Sequence, residues 1–316
     1  MNQKYMLIIF DTNNLFYRNE AVFKNLTYTI NGCPIQTGGI YGSLKSIMSI
    51  KDKFLIENGK MIFGFDNCNS KLFLRKQIDF NYKSNRLEKS SLFYKNLDYL
   101  EKIILHLYDN CKVVRLPFFE ADDLLPTILN QQSKTNKILL VSNDQDWSRC
   151  LTENIHQLSN NEIVTIYSFK EKHGFMPNMN TLIFYKTFKG DTSDNIPNAL
   201  PRFPKEILLQ LLNNYHLEDI WQFFNDLDKG LLDSIVSVDN NWRIKLNEKS
   251  VRERLIMNYR LVNFLGCEKS ELDEGTYECK YNPKILRLLY SSLGFNIERL
   301  DERLTKLNNN ITNFNF

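Results

Sequence analysis

The sequence predicts an α/β protein: a mostly parallel central sheet followed by a helical C-terminal half. Three observations carry this. The runs YMLIIF (5–10), MIFGFD (61–66) and KILLVSND (137–144) have the continuous hydrophobicity of strands buried on both faces. Each leads into an aspartate, Asp11, Asp66 or Asp144, and ligands of open parallel sheets bind outside the carboxyl ends of the strands. Segments of helical apolar spacing separate the runs, which is the alternation of an α/β sheet.

Taken in order, the first strand ends on Asp11, and YGSLKSIMSIKDKFLIEN (41–58) reads as a helix. The strand ending on Asp66 is followed by the basic segment 71–89, a helix over 91–110 and an acidic helix over 120–132. After the strand ending on Asp144, the spacing beyond Ser168 turns helical, at 178–189, 205–214, 217–228 and 251–264. The expected organisation is a core over 1–168, a helical unit over 169–305 and a flexible Asn-rich tail over 306–316.

Composition excludes several classes. The 316 residues, 43% hydrophobic, suffice for a proper core, and no apolar run approaches the roughly 20 residues that span a bilayer. The N-terminal run is too short, and too soon followed by Asp11, for a signal peptide, so an intracellular, cytoplasmic protein is expected. Six scattered cysteines without a C-x-x-C pair indicate neither a zinc knuckle nor a disulfide framework. Four dispersed histidines read as structural. An EF-hand beginning at Asp144 fails, because Arg149 and Ile155 stand where Gly and Glu are needed. The stretch TGGIYGSLKS lacks the adjoining Gly-Lys of a P-loop.

Carboxylates are the informative residues. Glu120, Asp122 and Asp123 crowd between apolar runs in LPFFEADDLLPTIL (116–129). Asp144 and Asp146 follow a strand, and Asp191 and Asp194 follow a helix. Singly, each could cap a helix or complement its dipole. As a set with Asp11 and Asp66 they stand at strand ends and helix termini that a parallel sheet would bring together, where like charges need bound cations. Hard oxygen ligands without His or Cys favour Mg²⁺ or Mn²⁺. Two such ions about 3.5–4 Å apart are an apparatus for phosphodiester hydrolysis.

The collinear blocks FDTNNLFYR, TGGIYGSL, FGFD, YKSNR, FFEADDLL, LLVSNDQDW and FKGDTSDNIPN resemble the 5′ nuclease (flap endonuclease) superfamily. The likeness is greatest to bacteriophage 5′→3′ exonucleases of the ribonuclease H type and to the 5′ nuclease domain of bacterial DNA polymerases. It runs from about residue 5 to about 265. The resemblance implies a PIN-like core, a helical arch near 70–90 and a helical DNA-binding extension with a helix-hairpin-helix-like segment near 190–214.

It also implies two Mg²⁺ ions. Asp11, Asp66, Glu120, Asp122 and Asp123 would serve one; Asp144, Asp146, Asp191 and Asp194 would serve the other. Asp11 and Asp122 would thereby be catalytic, together with Lys83 and Arg86. An ion-activated water would attack the phosphorus in line, leaving a 5′-phosphate and a 3′-hydroxyl.

In the basic segment, Arg75, Lys76, Lys83 and Arg86 are candidates for nucleic-acid contact. On a helix Lys83 and Arg86 would face the same way, toward a scissile phosphate. Tyr82 is a candidate for stacking on a terminal base, with a core role for Tyr82, Phe73 or Phe80 as an equal alternative. The family's glycine-rich hairpin, which holds a duplex phosphate with a monovalent cation nearby, is replaced here by ALPRFPK (199–205). Backbone donors are lost at its prolines, which weakens the case for a monovalent-cation site and leaves Arg202 and Lys205 to take the phosphate through side chains.

The expected substrate is DNA with a 5′ flap or end, extending to RNA in RNA–DNA hybrids, for primer or flap removal by a monomer. A replication clamp or single-strand-binding protein is a conceivable partner of the tail. Two alternatives stay open on sequence, a noncatalytic nucleic-acid-binding relative and a PIN-type ribonuclease.

Overall fold

The computed structural model describes residues 3–30, 33–67, 73–215, 218–234 and 240–295. In chain order the elements are β1 (Tyr5–Asp11), α1 (Thr12–Val22), the hairpin β2 (Thr27–Ile30) and β3 (Cys33–Gln36), α2 (Gly38–Phe54), β4 (Leu55–Gly64), α3 (Leu74–Ile78), α4 (Ser91–Leu107), β5 (Cys111–Val114), α5 (Ala121–Asn130) and β6 (Ile138–Val141). There follow β7 (Ile155–Ser159), β8 (Glu162–Val164), α6 (Ile166–His173), α7 (Met179–Lys189), α8 (Lys205–Asn214), α9 (Ile220–Asp228), α10 (Asn240–Asn247), α11 (Lys249–Val262), α12 (Lys269–Glu274), β9 (Thr276–Glu278) and α13 (Pro283–Ser292).

The sheet order is β8-β7-β6-β1-β4-β5-β9. The five inner strands are parallel, and β8 and β9 close the edges antiparallel. Alternation along β1 builds two cores: Ile8 and Phe10 pack on one face with residues of α1, α2 and α4, while Leu7 and Ile9 face α5 on the other. This is why β1 reads as an unbroken apolar run. The neighbours β6, β1 and β4 carry Asp144, Asp11 and Asp66 at or just beyond their carboxyl ends, as their sequences predict.

Several boundaries differ from the sequence reading. The helix expected over 41–58 stops at Phe54, and β4 starts at Leu55. Leu55 pairs with Tyr5 across a register shift, and Asn58 sits in the left-handed region (φ 59°) that Asn tolerates better than most residues. The short strands β2, β3, β5, β7, β8 and β9 were not anticipated, being too brief to show a period. The expected division between a core over 1–168 and a helical unit over 169–305 has a counterpart in a separate cluster around Phe175, Phe184, Phe188 and Phe223, which also takes in Leu151 and Ile166. It does not hold for the end of the described chain, where β9 pairs with β5 and Leu286 and Tyr290 of α13 join the core beside α4. The tail over 306–316, Lys71 and His216 lie outside the described residues.

The glycines of TGGIYGSL are explained by packing. A Cβ on Gly38 would lie 2.0 Å from the Phe23 carbonyl oxygen, and one on Gly42 would lie 2.4 Å from the Phe23 ring, so α2 can approach α1 only without side chains there. Gly38→Ala is expected to destabilise the protein by about 1–3 kcal/mol, because the clash is with backbone, and denaturant unfolding would measure it.

Candidate active site

The opening acidic block forms around α5. Glu120 stands at the helix N-cap, Asp122 and Asp123 occupy the first turn, and the three can each bring a carboxylate oxygen within 4.8 Å of the others. A single buried guanidinium, that of Arg75, compensates them. Its Nη1 donates to Glu120 Oε2 (2.7 Å) and Asp123 Oδ2 (2.9 Å), and its Nη2 to Asp123 Oδ1 (2.7 Å) and the Asn263 carbonyl (3.0 Å). Nε donates to the Leu261 carbonyl at 2.9 Å, so all five N–H groups are used. Asp123 also accepts from the backbone N–H groups of Leu265 (2.9 Å) and Glu120 (3.3 Å). Its oxygens face protein donors on every side, whereas Asp122 Oδ1 is buried without a hydrogen-bond partner.

Asp11 and Asp66 stand beside this block. Asp11 caps α1, accepting from the Asn14 N–H (3.1 Å) and from the Ser142 hydroxyl (2.7 Å). Asp66 accepts from the Ala121 N–H at 2.8 Å, which ties the end of β4 to the start of α5. Burial and the charge of Asp66 push the Asp11 carboxyl up to about 7. Burial and Glu120 push Asp66 up to about 6. Glu120 goes the other way: burial opposes its ionisation, but Lys83 and Arg75 outweigh that and bring it to about 2. Burial, then Asp123 and Glu120, raise Asp122 despite Arg75.

The second block joins three elements. Asp146, in the 3-10 turn Gln145–Cys150, and Asp191 and Asp194, after α7, also bring carboxylate oxygens within 4.8 Å of one another. Asp144 is the exposed member, and its charge reaches both Asp11 and Asp146. Two residues absent from the sequence-based set are built into this block. Lys186 Nζ lies 2.5 Å from Asp146 Oδ1 and 2.7 Å from Asp191 Oδ2, and Arg149 Nη2 lies 2.9 Å from the same Asp146 oxygen. These cations hold Asp146 well below the usual carboxylate range in spite of its burial. The signals were present but faint: an arginine three residues after Asp146 and a lysine within the apolar helix before Asp191.

The basic segment corrects two expectations. It is not one helix: α3 is five residues long, and 79–86 is a chain of turns with Lys83 at φ 55°. The turns are pinned to the GDTSDN loop. The Lys83 N–H donates to the Asp194 carbonyl (2.9 Å), Asn85 to that of Thr192 (2.7 Å) and Arg86 Nε to that of Ser193 (3.2 Å), while Asn195 donates to the Asn81 carbonyl (2.8 Å). Lys83 and Arg86 nevertheless meet at the acids, Lys83 Nζ on Glu120 and Arg86 Nη2 on Asp194.

Two of the candidates for nucleic-acid contact are turned inward. Arg75 is 2% exposed with every donor engaged, so it has none for a phosphate. Tyr82 is also 2% exposed, its hydroxyl shared between Glu120 Oε2 (2.9 Å) and Asp194 Oδ2 (3.1 Å), so its ring offers no face to a base. Lys76 is half-buried. Arg202 and Lys205 are exposed at the turn into α8, with Arg202 at φ 66°, a left-handed conformation where glycine is more usual.

Comparison with known proteins places this arrangement. Residues 6–174 match the family model described as the 5′-3′ exonuclease, N-terminal resolvase-like domain. The chain belongs to the 5′-3′ exonuclease family. It is 31% identical over 81% of its length to a 5′-3′ exonuclease of Buchnera aphidicola, covering 85% of that protein. It is 28% identical over 71% of its length to DNA polymerase I of Caldicellulosiruptor bescii, of which it covers 26%. The fold superposes on the bacteriophage T5 D15 flap endonuclease, solved in a pseudo-enzyme–product complex with DNA and metal ions, with a TM-score of 0.58, 17% identity and coverage of 90% of this chain and 98% of that one. The mostly parallel sheet and the family assignment expected from sequence are thus both found, and the protein is a hydrolase of the 5′-3′ exonuclease type.

Two stability measurements test this exonuclease site. Arg75→Met leaves Asp123 without its counter-charge in the interior and Glu120 with Lys83 alone, and should cost about 3–5 kcal/mol in denaturant unfolding. Asp11→Asn should act oppositely in metal-free protein. Because the folded chain holds the Asp11 proton more tightly than the unfolded chain, the Asp11 contribution to stability is lost as pH rises from about 4 through about 7. The variant should therefore melt higher than the parent at pH 7.5 without metal, by about 1–3 kcal/mol, and match it more closely at pH 4.5.

Proposed function

We propose that this exonuclease is Mg²⁺-dependent and cuts DNA at 5′ ends and flaps, using two divalent cations held by the acidic blocks. The arrangement that carries the reading is the pair of carboxylate groups, joined through Asp11 and Asp144, at the carboxyl edge of the sheet. The donor set fits such ions. It is all oxygen, Asp122 Oδ1 is a buried acceptor without a hydrogen bond, 3.7 Å from Arg75 Nη1, and Asp11, Asp66 and Asp122 are carboxyls that burial and like charge disfavour as anions until a cation is near. When bound, the cations supply an activated water and neutralise charge on the phosphodiester.

The chain itself positions the substrate. Lys83 and Arg86, now paired with Glu120 and Asp194, are placed to exchange those carboxylates for the scissile phosphate once cations take over the acids. Asp123, committed to Arg75, acts as the anchor of the block rather than as a direct ligand. Arg202 and Lys205 take a duplex phosphate at the turn into α8 through side chains. Kinship to DNA polymerase I supports a place in replication, with primer or flap removal as the task and RNA–DNA hybrids among the substrates.

The test is a 5′-labelled flapped duplex incubated with the full chain. Short labelled products are expected with Mg²⁺ or Mn²⁺. Cleavage should vanish in EDTA and fall at least about 100-fold in the Asp144→Asn, Asp146→Asn double variant. Cleavage that persists in EDTA would overturn the metal assignment. In the same system Arg202→Ala with Lys205→Ala should weaken duplex binding and lower its salt slope by about 2.

A further inference from the structure

Arg149 contacts Asp146 but has no part in the proposed handling of the substrate, and its setting is unusual for a structural arginine. Its side chain is 1% exposed, its guanidinium lies over the Phe264 ring at 4.1 Å from the centroid, and its Nε and Nη1 are buried with no hydrogen-bond partner. Interior N–H groups left unpaired oppose folding, so attraction to Asp146 and to the ring face must hold the group in place. Compare Arg75, whose five N–H groups are all satisfied. Asp146 is also claimed by Lys186, 9% exposed, so that one carboxylate oxygen meets two buried cations.

This makes the two acidic blocks unequal. Asp11, Asp66, Glu120, Asp122 and Asp123 are balanced by Arg75 and Lys83, whereas Asp144, Asp146, Asp191 and Asp194 are balanced by Lys186, Arg149 and Arg86. Lys83 and Arg86 belong to the turns over the site, and Arg86 is half exposed, so both can transfer to a phosphate. Arg149 and Lys186 cannot. They are rooted in the 3-10 turn and in α7, away from solvent. An oxygen site binds a divalent cation more tightly as its uncompensated ligand charge grows.

We propose that Arg149, with Lys186, is a resident counter-cation that weakens the Asp144–Asp146–Asp191–Asp194 block for a divalent cation, so that the two sites fill unequally in the absence of nucleic acid. The proposal rests on the reading of both blocks as divalent-cation sites. Arg149 is on this account a positioning residue: it acts through Asp146 and need not touch substrate.

The experiment is a Mn²⁺ titration of the full chain without nucleic acid, with free Mn²⁺ followed by electron paramagnetic resonance and folding checked by circular dichroism. The parent should show one tight and one weaker site. Arg149→Gln should tighten the weaker site by about ten-fold or more and leave the tight one unchanged, since ligand charge sets affinity. Lys186→Met should shift the same site in the same direction, and Arg149→Lys, which keeps the charge, should resemble the parent. Two equal sites in the parent, or a weaker site unmoved in both Arg149→Gln and Lys186→Met, would overturn the proposal. Should Arg149→Gln fail to fold, Lys186→Met decides alone. Absence of saturable Mn²⁺ binding, or binding indifferent to Asp144→Asn with Asp146→Asn, would instead overturn the underlying reading of the acids as cation sites.

Discussion

Nine carboxylates gathered at one edge of a sheet would drive one another apart, and the molecule depends on the buried cations that prevent it. Arg75 is foremost among them. Its fork joins Glu120 and Asp123, its remaining donors reach the carbonyls of Leu261 and Asn263, and one side chain thereby fastens the acidic start of α5 to the end of α11. The helical C-terminal portion and the sheet are held in register at the site by this contact and by the Leu265 N–H on Asp123. A lysine could not do the same, because the planar fork is what serves two carboxylates and two carbonyls at once.

The other cations divide by burial into fixed and exchangeable. Arg149 and Lys186 are interior and stay with Asp146, while Lys83 and Arg86 sit on turns docked to the 191–195 loop by backbone carbonyls and Asn195. Those docking bonds are mostly near the surface, so breaking them costs little compared with moving Arg75. Tyr82 anchors the same turns from below, its ring in a small cluster with Ile183, Ile196 and Leu261 and its hydroxyl on Glu120 and Asp194. An aromatic residue that seemed suited to stacking on a base instead sets the height of Lys83 over the acids.

The turn between α7 and α8 is built by burial. ALPRFPK keeps the turn between α7 and α8 by packing Ala199, Leu200 and Phe203 into the helical core. Arg202 adopts the left-handed conformation without being glycine, which costs on the order of 1 kcal/mol and leaves its side chain exposed at the tip. Apolar burial rather than glycine is thus the source of the turn.

The sequence by itself determined the parallel sheet, the strand-end aspartates and the crowded acids of FFEADDLL. Each of these is a local pattern: an apolar run buried on both faces, a carboxylate where it ends, a charge cluster beside core residues. Tertiary structure alone decided which way the side chains of the basic segment turn, that Asp123 serves Arg75, that Arg149 and Lys186 guard Asp146, and that β9 and α13 return to the sheet. These depend on pairs separated by as much as 188 residues, as between Arg75 and Asn263. Composition and periodicity carry no information about such pairs, because the desolvation that makes a buried charge seek its partner exists only once the chain has closed around it.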